Sequence, residues 1–205
     1  EEIFLETKLW PSFFERDTEV DETLERLGTD YIDLMILHQP AGDTVAGYRI
    51  LEKAHREGKI RAIGLSNFDV AQTQRILDEC EVVPTINQVE CHPYFPQTAA
   101  LEYHARIGVL TESWSPLGRK WRIVEDPAIV ALASEVGVSP SRLILRWHYQ
   151  LGTLPLPKSG HPERQRENLD IFSFSLSSEQ MAAISALGRP DGRQADQNPE
   201  YYEEF

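Results

Sequence analysis

The chain is short of cysteine, of basic residues and of long apolar runs, and each shortage closes off a class of protein. Its 205 residues hold two cysteines, Cys80 and Cys91, too few for a disulfide-stapled secreted scaffold. Two free thiols in a reducing cytoplasm are expected. Cys91 stands beside His92, but Pro93 follows at once, and one Cys-His pair lacks the ligand count of a structural zinc site; no metal is expected. No run approaches the ~18 apolar residues that cross a bilayer. The opening Glu1-Glu2-Ile3 has none of the basic character of a signal peptide. No membrane partner is expected, and the reading is cytoplasmic. Twenty Lys and Arg against 33 Asp and Glu leave a net charge of -13, which argues against a nucleic-acid partner, since duplex phosphates need a basic face. A glycine-rich G-x-G-x-x-G turn is also missing, so no dinucleotide-binding Rossmann turn follows the first strand.

What is present is alternation. Apolar runs at 3–9, 32–38, 61–66, 85–90, 109–114 and 153–157 read as strands. Near-continuous apolar character is the mark of strands buried on both faces. Between them lie helical periods. Residues 16–28 carry Val20, Leu24 and Leu27 with Gly28 as a stop. Residues 44–57 carry Ile50, Leu51 and Ala54, closed by Gly58. Asp69 caps a helix running to Glu79. Further helices are expected at Thr98–Arg106, 127–136, 140–151, 162–171 and from Ser177 to Leu187. Ser139-Pro140 is an N-cap followed by proline in the first turn, and Ser177 with Gln180 has capping-box spacing. The stretch 116–125 reads as a loop and the tail 188–205 as irregular. No repeat or linker interrupts the pattern, so residues 1–205 read as a single domain. About six βα units suit either an open doubly wound sheet or an incomplete (β/α)8 barrel, and the count does not choose. In a barrel the site gathers at the carboxyl ends of the strands.

Those strand ends carry polar residues in a telling order. Phe4-Leu5-Glu6-Thr7-Lys8-Leu9-Trp10 resembles the lysine strand of aldo-keto reductases, and Tyr31-Ile32-Asp33-Leu34-Met35-Ile36-Leu37-His38 their histidine strand. Gly58 through Phe68 resembles the family's Ser-Asn strand. Asn87-Gln88-Val89-Glu90-Cys91-His92-Pro93-Tyr94 resembles the strand after it, and Ser113-Trp114-Ser115-Pro116-Leu117-Gly118 the seventh strand. Leu154-Pro155-Leu156-Pro157-Lys158-Ser159, with Arg164 and Glu167-Asn168 downstream, resembles the phosphate-binding segment. The resemblance covers nearly the whole chain. It implies a (β/α)8 TIM barrel of aldo-keto reductase type, here incomplete, with about six βα units and extra helices. It also implies NADPH/NADP as cofactor, bound without a Rossmann domain, and reduction of small aldehyde or ketone carbonyls by hydride transfer. The catalytic Tyr and the Asp of the family's pattern have no counterpart here and are expected upstream of Glu1. The full-length form is expected to be a monomer or weak dimer. A non-catalytic NADPH-binding or regulatory relative, truly lacking the tyrosine, is the alternative.

The resemblance carries roles onto particular residues. Lys8 matches the lysine that lowers the tyrosine's pKa, and without the missing Asp and Tyr it would be an unpaired cation. His38 matches the histidine that orients the carbonyl. Gln39 follows it where many family members have tryptophan, which removes an aromatic wall and implies smaller or more polar substrates. Ser66, Asn67 and Gln88 match residues that hold the nicotinamide carboxamide, and Trp114 the ring on which the nicotinamide stacks. Ser115, Leu117 and Gly118 match pyrophosphate contacts, followed by a short covering loop at Arg119–Arg122. Lys158, Ser159 and Arg164 match the 2′-phosphate pocket, and Glu167 and Asn168 adenine contacts. A basic group at a helix start opposes the helix dipole unless an anion is expected there.

Overall fold

A computed structural model describes residues 3–190, 192–194 and 198 of the chain. Six parallel strands alternate with helices, and the chain divides into two compact units. The first is built on Glu1–Gln88 with Glu102–Val109, the second on Val89–Leu101 with Leu110–Asn198.

In the first unit β1 (Glu6–Leu9), β2 (Ile32–Leu37), β3 (Ile60–Ser66) and the start of β4 (Ile86–Glu90) pair side by side in chain order. All six residues of β2 are buried. Leu34 and Ile36 pack with Ile86, whereas Met35 and Leu37 join Ile63, Leu65, Leu51 and Ala54. Alternate side chains thus enter two different cores, and the run has no polar face to show. Each fully buried side chain of this kind is worth about 1.5–3 kcal/mol. Gly64 lies opposite Ile36. A Cβ there would stand 2.8 Å from the Ile86 carbonyl oxygen and 2.9 Å from Ile86 Cγ1. Glycine is what lets β3 and β4 approach.

Helix α1 (Glu19–Leu27) has Glu19, Asp21 and Glu22 in its first turn and Arg26 in its last, matching its dipole, and ends at left-handed Gly28. Helix α2 (Thr44–Arg56) is capped by Asp43, which accepts from the Ala46 amide. Helix α3 (Val70–Glu79) has the Asp69 cap expected from sequence, completed into a capping box by Gln72.

Helix α4 (Thr98–Ile107) follows β4. In the second unit β5 (Leu110–Trp114) pairs parallel with β6 (Leu154–Pro155). Helices α5 (Pro127–Val136), α6 (Pro140–Gln150) and α8 (Ser178–Ser185) bury Ile129, Ala133, Leu143, Ile144, Trp147 and Ile184 in one cluster. The Trp147 indole nitrogen donates to Ser185 Oγ at 2.9 Å, so its buried polar atom is satisfied. Ser139 with Pro140 opens α6, and Ser177 with Gln180 forms the capping box of α8, both as expected.

The boundaries differ from the sequence reading where local chemistry intervenes. Strand 153–157 shrinks to Leu154–Pro155, because Pro155 and Pro157 have no N–H for the ladder; the Leu156 amide still reaches the Ser113 carbonyl at 3.0 Å. The first strand begins at Glu6 rather than Ile3, since Ile3 and Phe4 are exposed. Helix α7 (Pro162–Leu169) stops at Asp170. The expected loop 116–125 contains two 3-10 turns, Arg119–Trp121 and Ile123–Glu125. Of the tail 188–205, residues 188–190, 192–194 and 198 are neither helix nor strand, and positions 191, 195–197 and 199–205 lie outside the described residues. Among the described residues no single helix is long and apolar enough to cross a membrane.

Candidate active site

The first unit assembles Lys8, His38, Ser66, Asn67 and Gln88 from the ends of four strands. Lys8, half-buried on β1, donates from Nζ to Gln88 Oε1. The cation is therefore not unpaired, contrary to the expectation from a chain without the family's Asp and Tyr. Gln88 is buried and donates from Nε2 to Glu6 Oε1 at 3.0 Å. His38 directly follows β2, held by its amide on the Leu9 carbonyl at 2.9 Å, with its ring edge-on to Trp10. Burial, helped by the Lys8 charge, pulls its pKa down to about 4. At neutral pH the imidazole is uncharged, able to donate from one nitrogen and accept at the other.

Ser66 is fully buried, and Asn67 beside it takes a left-handed backbone with φ 64°. The Asn67 amide donates to the Gln88 carbonyl at 2.9 Å. Its side-chain Nδ2 lies 3.4 Å from the His38 carbonyl, 3.2 Å from Gln39 Oε1 and 3.3 Å from Ser66 Oγ. Gln39, read from sequence as a missing wall of the pocket, is buried and holds Asn67 instead. Behind this cluster the buried Asn87 donates from Nδ2 to the Phe68 carbonyl at 2.8 Å and meets His104 Nε2 at 3.1 Å. Burial drives the His104 pKa down to about 4, so a neutral ring nitrogen accepts from Asn87. That pair fixes the turn leaving β3.

In the second unit Trp114 ends β5 half-buried, and its carbonyl accepts from the Cys91 amide at 3.4 Å. Cys91 is buried, and desolvation raises its thiol pKa to about 12, so it is not a nucleophile. Ser115 has φ 50°, and its carbonyl accepts from the Gly118 amide at 2.7 Å. Gly118, Arg119 and Arg122 also have positive φ. Four left-handed residues within eight positions make a tight, strained turn. Leu117 and Trp121 pack on the core beside it. Trp121 also stacks edge-on against Tyr94, which Arg189 covers from 3.5 Å. The short covering loop is thus packed down.

Lys158 and Arg164 are exposed, and among the described residues neither forms an ion pair. Ser159 Oγ accepts from the His161 amide at 3.1 Å, tying the loop to the start of α7. His161 supplies no side-chain cap to that helix. Arg164, Glu167 and Asn168 all stand on α7.

Comparison with known proteins identifies the class. The aldo/keto reductase family matches residues 1–189, and the chain belongs to that family, whose fold is the TIM-barrel type of α/β protein. It is 45% identical to 2,5-diketo-D-gluconic acid reductase B of a Corynebacterium species over 186 residues, covering 89% of this chain and 66% of that protein. It is 36% identical to the methylglyoxal reductase DkgA of Yersinia pestis, covering 98% of this chain and 74% of that one. Among solved structures, a mutant of Gox0644 in complex with NADPH superposes with a TM-score of 0.93 at 37% identity, over 99% of this chain and 76% of that chain. The chain thus spans roughly two thirds to three quarters of the length of these relatives.

Sequence reasoning did not single out Glu6, Trp10, Asn87 or His104. Glu6 had a signal, since it lies two residues before Lys8 and so shares its strand face. The Asn87–His104 contact had none, for it joins a strand to a helix 17 residues on.

Proposed function

We propose that this chain is the larger part of an NADPH-dependent carbonyl reductase that converts small aldehydes or ketones to alcohols. The observation that carries the reading is the cluster at the ends of β1–β4. It joins a cation, a neutral imidazole and two carboxamides, half-buried Asn67 and buried Gln88, around strand ends of the first unit. These groups fit a nicotinamide amide and a carbonyl oxygen. The imidazole of His38 can donate to a carbonyl. When bound, the reduced cofactor would supply the hydride. Lys8 would stabilise negative charge at the proton donor, His38 would orient the carbonyl, and Ser66, Asn67 and Gln88 would hold the carboxamide.

Trp114 would carry the nicotinamide ring, and Ser115, Leu117 and Gly118 the pyrophosphate. Lys158, Ser159 and Arg164 would hold the 2′-phosphate, with Glu167 and Asn168 at the adenine. Exposed cations without carboxylate partners are suited to an external anion. In this reading residues 1–205 form a single partial barrel domain of a cytoplasmic, monomeric or weakly dimeric enzyme whose tyrosine donor and aspartate come from chain upstream of Glu1.

The test is a fluorescence titration with NADPH followed by turnover of small aldehydes, scored by loss of NADPH absorbance. Saturable quenching with aldehyde-dependent oxidation supports the reading. Quenching without turnover, from a protein with no chain before Glu1, indicates the non-catalytic relative. Absence of NADPH binding rejects both.

A further inference from the structure

We infer that His104 is a positioning residue for the cofactor: through Asn87 it holds the turn that presents Ser66 and Asn67, and so governs how tightly the nicotinamide carboxamide is bound; this rests on the nucleotide reading proposed above. Asn67 takes a left-handed backbone, φ 64°, a conformation that an L-residue keeps only where its surroundings impose it. Two bonds from the β4 side impose it here. Ahead of the residue, the Asn67 amide donates to the Gln88 carbonyl at 2.9 Å. Behind it, the Phe68 carbonyl accepts from Asn87 Nδ2 at 2.8 Å. Asn87 and Gln88 are neighbours on β4, so one short stretch of strand grips the turn on both sides of Asn67.

The grip at Phe68 depends on which way the Asn87 amide faces. A carbonyl can only accept, so Nδ2 must point at Phe68. Nδ2 then lies 3.1 Å from His104 Nε2, and its second proton needs an acceptor there. His104 stands in the last turn of α4 and is buried, as Asn87 is. Burial pulls its pKa down to about 4, so at neutral pH the ring carries its proton on Nδ1 and turns the Nε2 lone pair to Asn87. A ring N–H in that place would oppose the amide and favour its reversed orientation, which sets Oδ1 against the Phe68 oxygen. Among the described residues Asn87 Oδ1 has no hydrogen-bond partner, so the two bonds of Nδ2 orient the amide. His104 thus reaches Asn67 through one side chain and one peptide unit, all within the first unit. The role requires no contact with the cofactor.

The experiment measures the dissociation constants of NADPH and of adenosine 2′,5′-bisphosphate for the protein and two variants. The bisphosphate carries the 2′-phosphate end of the cofactor and no nicotinamide. His104→Leu removes the acceptor, and His104→Gln restores one at Oε1. Leucine should weaken NADPH roughly 3–10-fold, the range of one hydrogen bond, and leave the bisphosphate unchanged. Glutamine should return most of the loss. Unchanged NADPH binding by His104→Leu would overturn the inference. Equal weakening of both ligands would mark a merely structural role and overturn it too, as would a glutamine variant no better than leucine. If His104→Leu fails to fold, nitrogen NMR of the unsubstituted protein decides. The His104 Nε2 resonance should be that of an unprotonated nitrogen and should move on adding NADPH but not the bisphosphate. A protonated Nε2, or a resonance indifferent to NADPH, overturns the inference. If the unsubstituted protein binds NADPH no more tightly than the bisphosphate, the nicotinamide site itself is rejected and this inference with it. A clear preference for NADPH that is indifferent to His104 rejects this inference only.

Discussion

The ring of His38 meets the indole of Trp10 edge to face, with centroids 4.4 Å apart and planes at 66°. Burial first, and then the Lys8 charge, make protonation of this imidazole costly, and its pKa falls to about 4. Burial has the same effect on His104, at about 4, and on His148, at about 3. A histidine whose pKa is lower folded than unfolded binds its proton more readily in the unfolded chain. Stability should therefore fall as pH drops from about 6.5 toward about 4, and these groups should have no effect above that window. Urea unfolding at about pH 7 and about pH 5 should show a lower midpoint at the acid pH. An NMR titration should find the His38 ring still neutral at about pH 5. Equal urea midpoints would contradict the burial argument.

Asn67 combines a left-handed backbone, φ 64°, with side-chain contacts to the His38 carbonyl and Gln39. The two properties separate by substitution. Asn67→Gly keeps the conformation at no steric cost but loses the amide, whereas Asn67→Ala loses the amide and adds about 1–2 kcal/mol of backbone strain. Thermal unfolding should rank alanine below glycine. NADPH titration should show both weakened to a similar degree, since both lack the group proposed to hold the carboxamide. A glycine variant that binds NADPH as the parent does would remove Asn67 from the cofactor site.

Gly118 and Gly28 test a different separation. Both have positive φ, 74° and 66°. A Cβ on Gly28 would meet nothing within 4 Å, whereas one on Gly118 would run into the Ile123 side chain. Gly28→Ala should cost about 1 kcal/mol, from backbone strain alone. Gly118→Ala adds overpacking of about 1–3 kcal/mol to the same strain. Denaturant unfolding of the two variants compares them directly. Equal losses would mean that Ile123 moves aside freely.

What was legible in the sequence was local. Asp69 with Gln72 and Ser177 with Gln180 announce their helices because a cap needs only residues three apart. The buried strands were legible because apolar side chains on both faces leave no alternative reading, as with Leu34 and Ile36 against Met35 and Leu37. Motif order brought out the candidate residues, Lys8, His38, Asn67 and Gln88 among them. Their partners were not legible, because the contacts are tertiary. Glu6 meets Gln88 from 82 residues away, and no local rule connects them. The turn after Trp114 was hidden for another reason. Ser115, Arg119 and Arg122 hold positive φ without being glycine, so the usual marker of a left-handed turn is absent.

Lys158 and Arg164 carry the last prediction, on cofactor choice. Both are exposed, on the loop before α7 and on α7 itself. Neither has a carboxylate partner among the described residues, in a chain of net charge -13. Two like cations in an acidic protein would ordinarily be drawn into ion pairs, and their availability is the feature an external phosphate would use. NADH and NADPH differ by the 2′-phosphate alone, so the double reversal Lys158→Glu with Arg164→Glu should weaken NADPH by roughly tenfold or more. NADH should change by a much smaller factor, and added salt should narrow the gap. Because both side chains are exposed, the thermal midpoint should hardly move. Equal loss for the two cofactors would mean that these charges steer any nucleotide toward the protein without reading its 2′-phosphate.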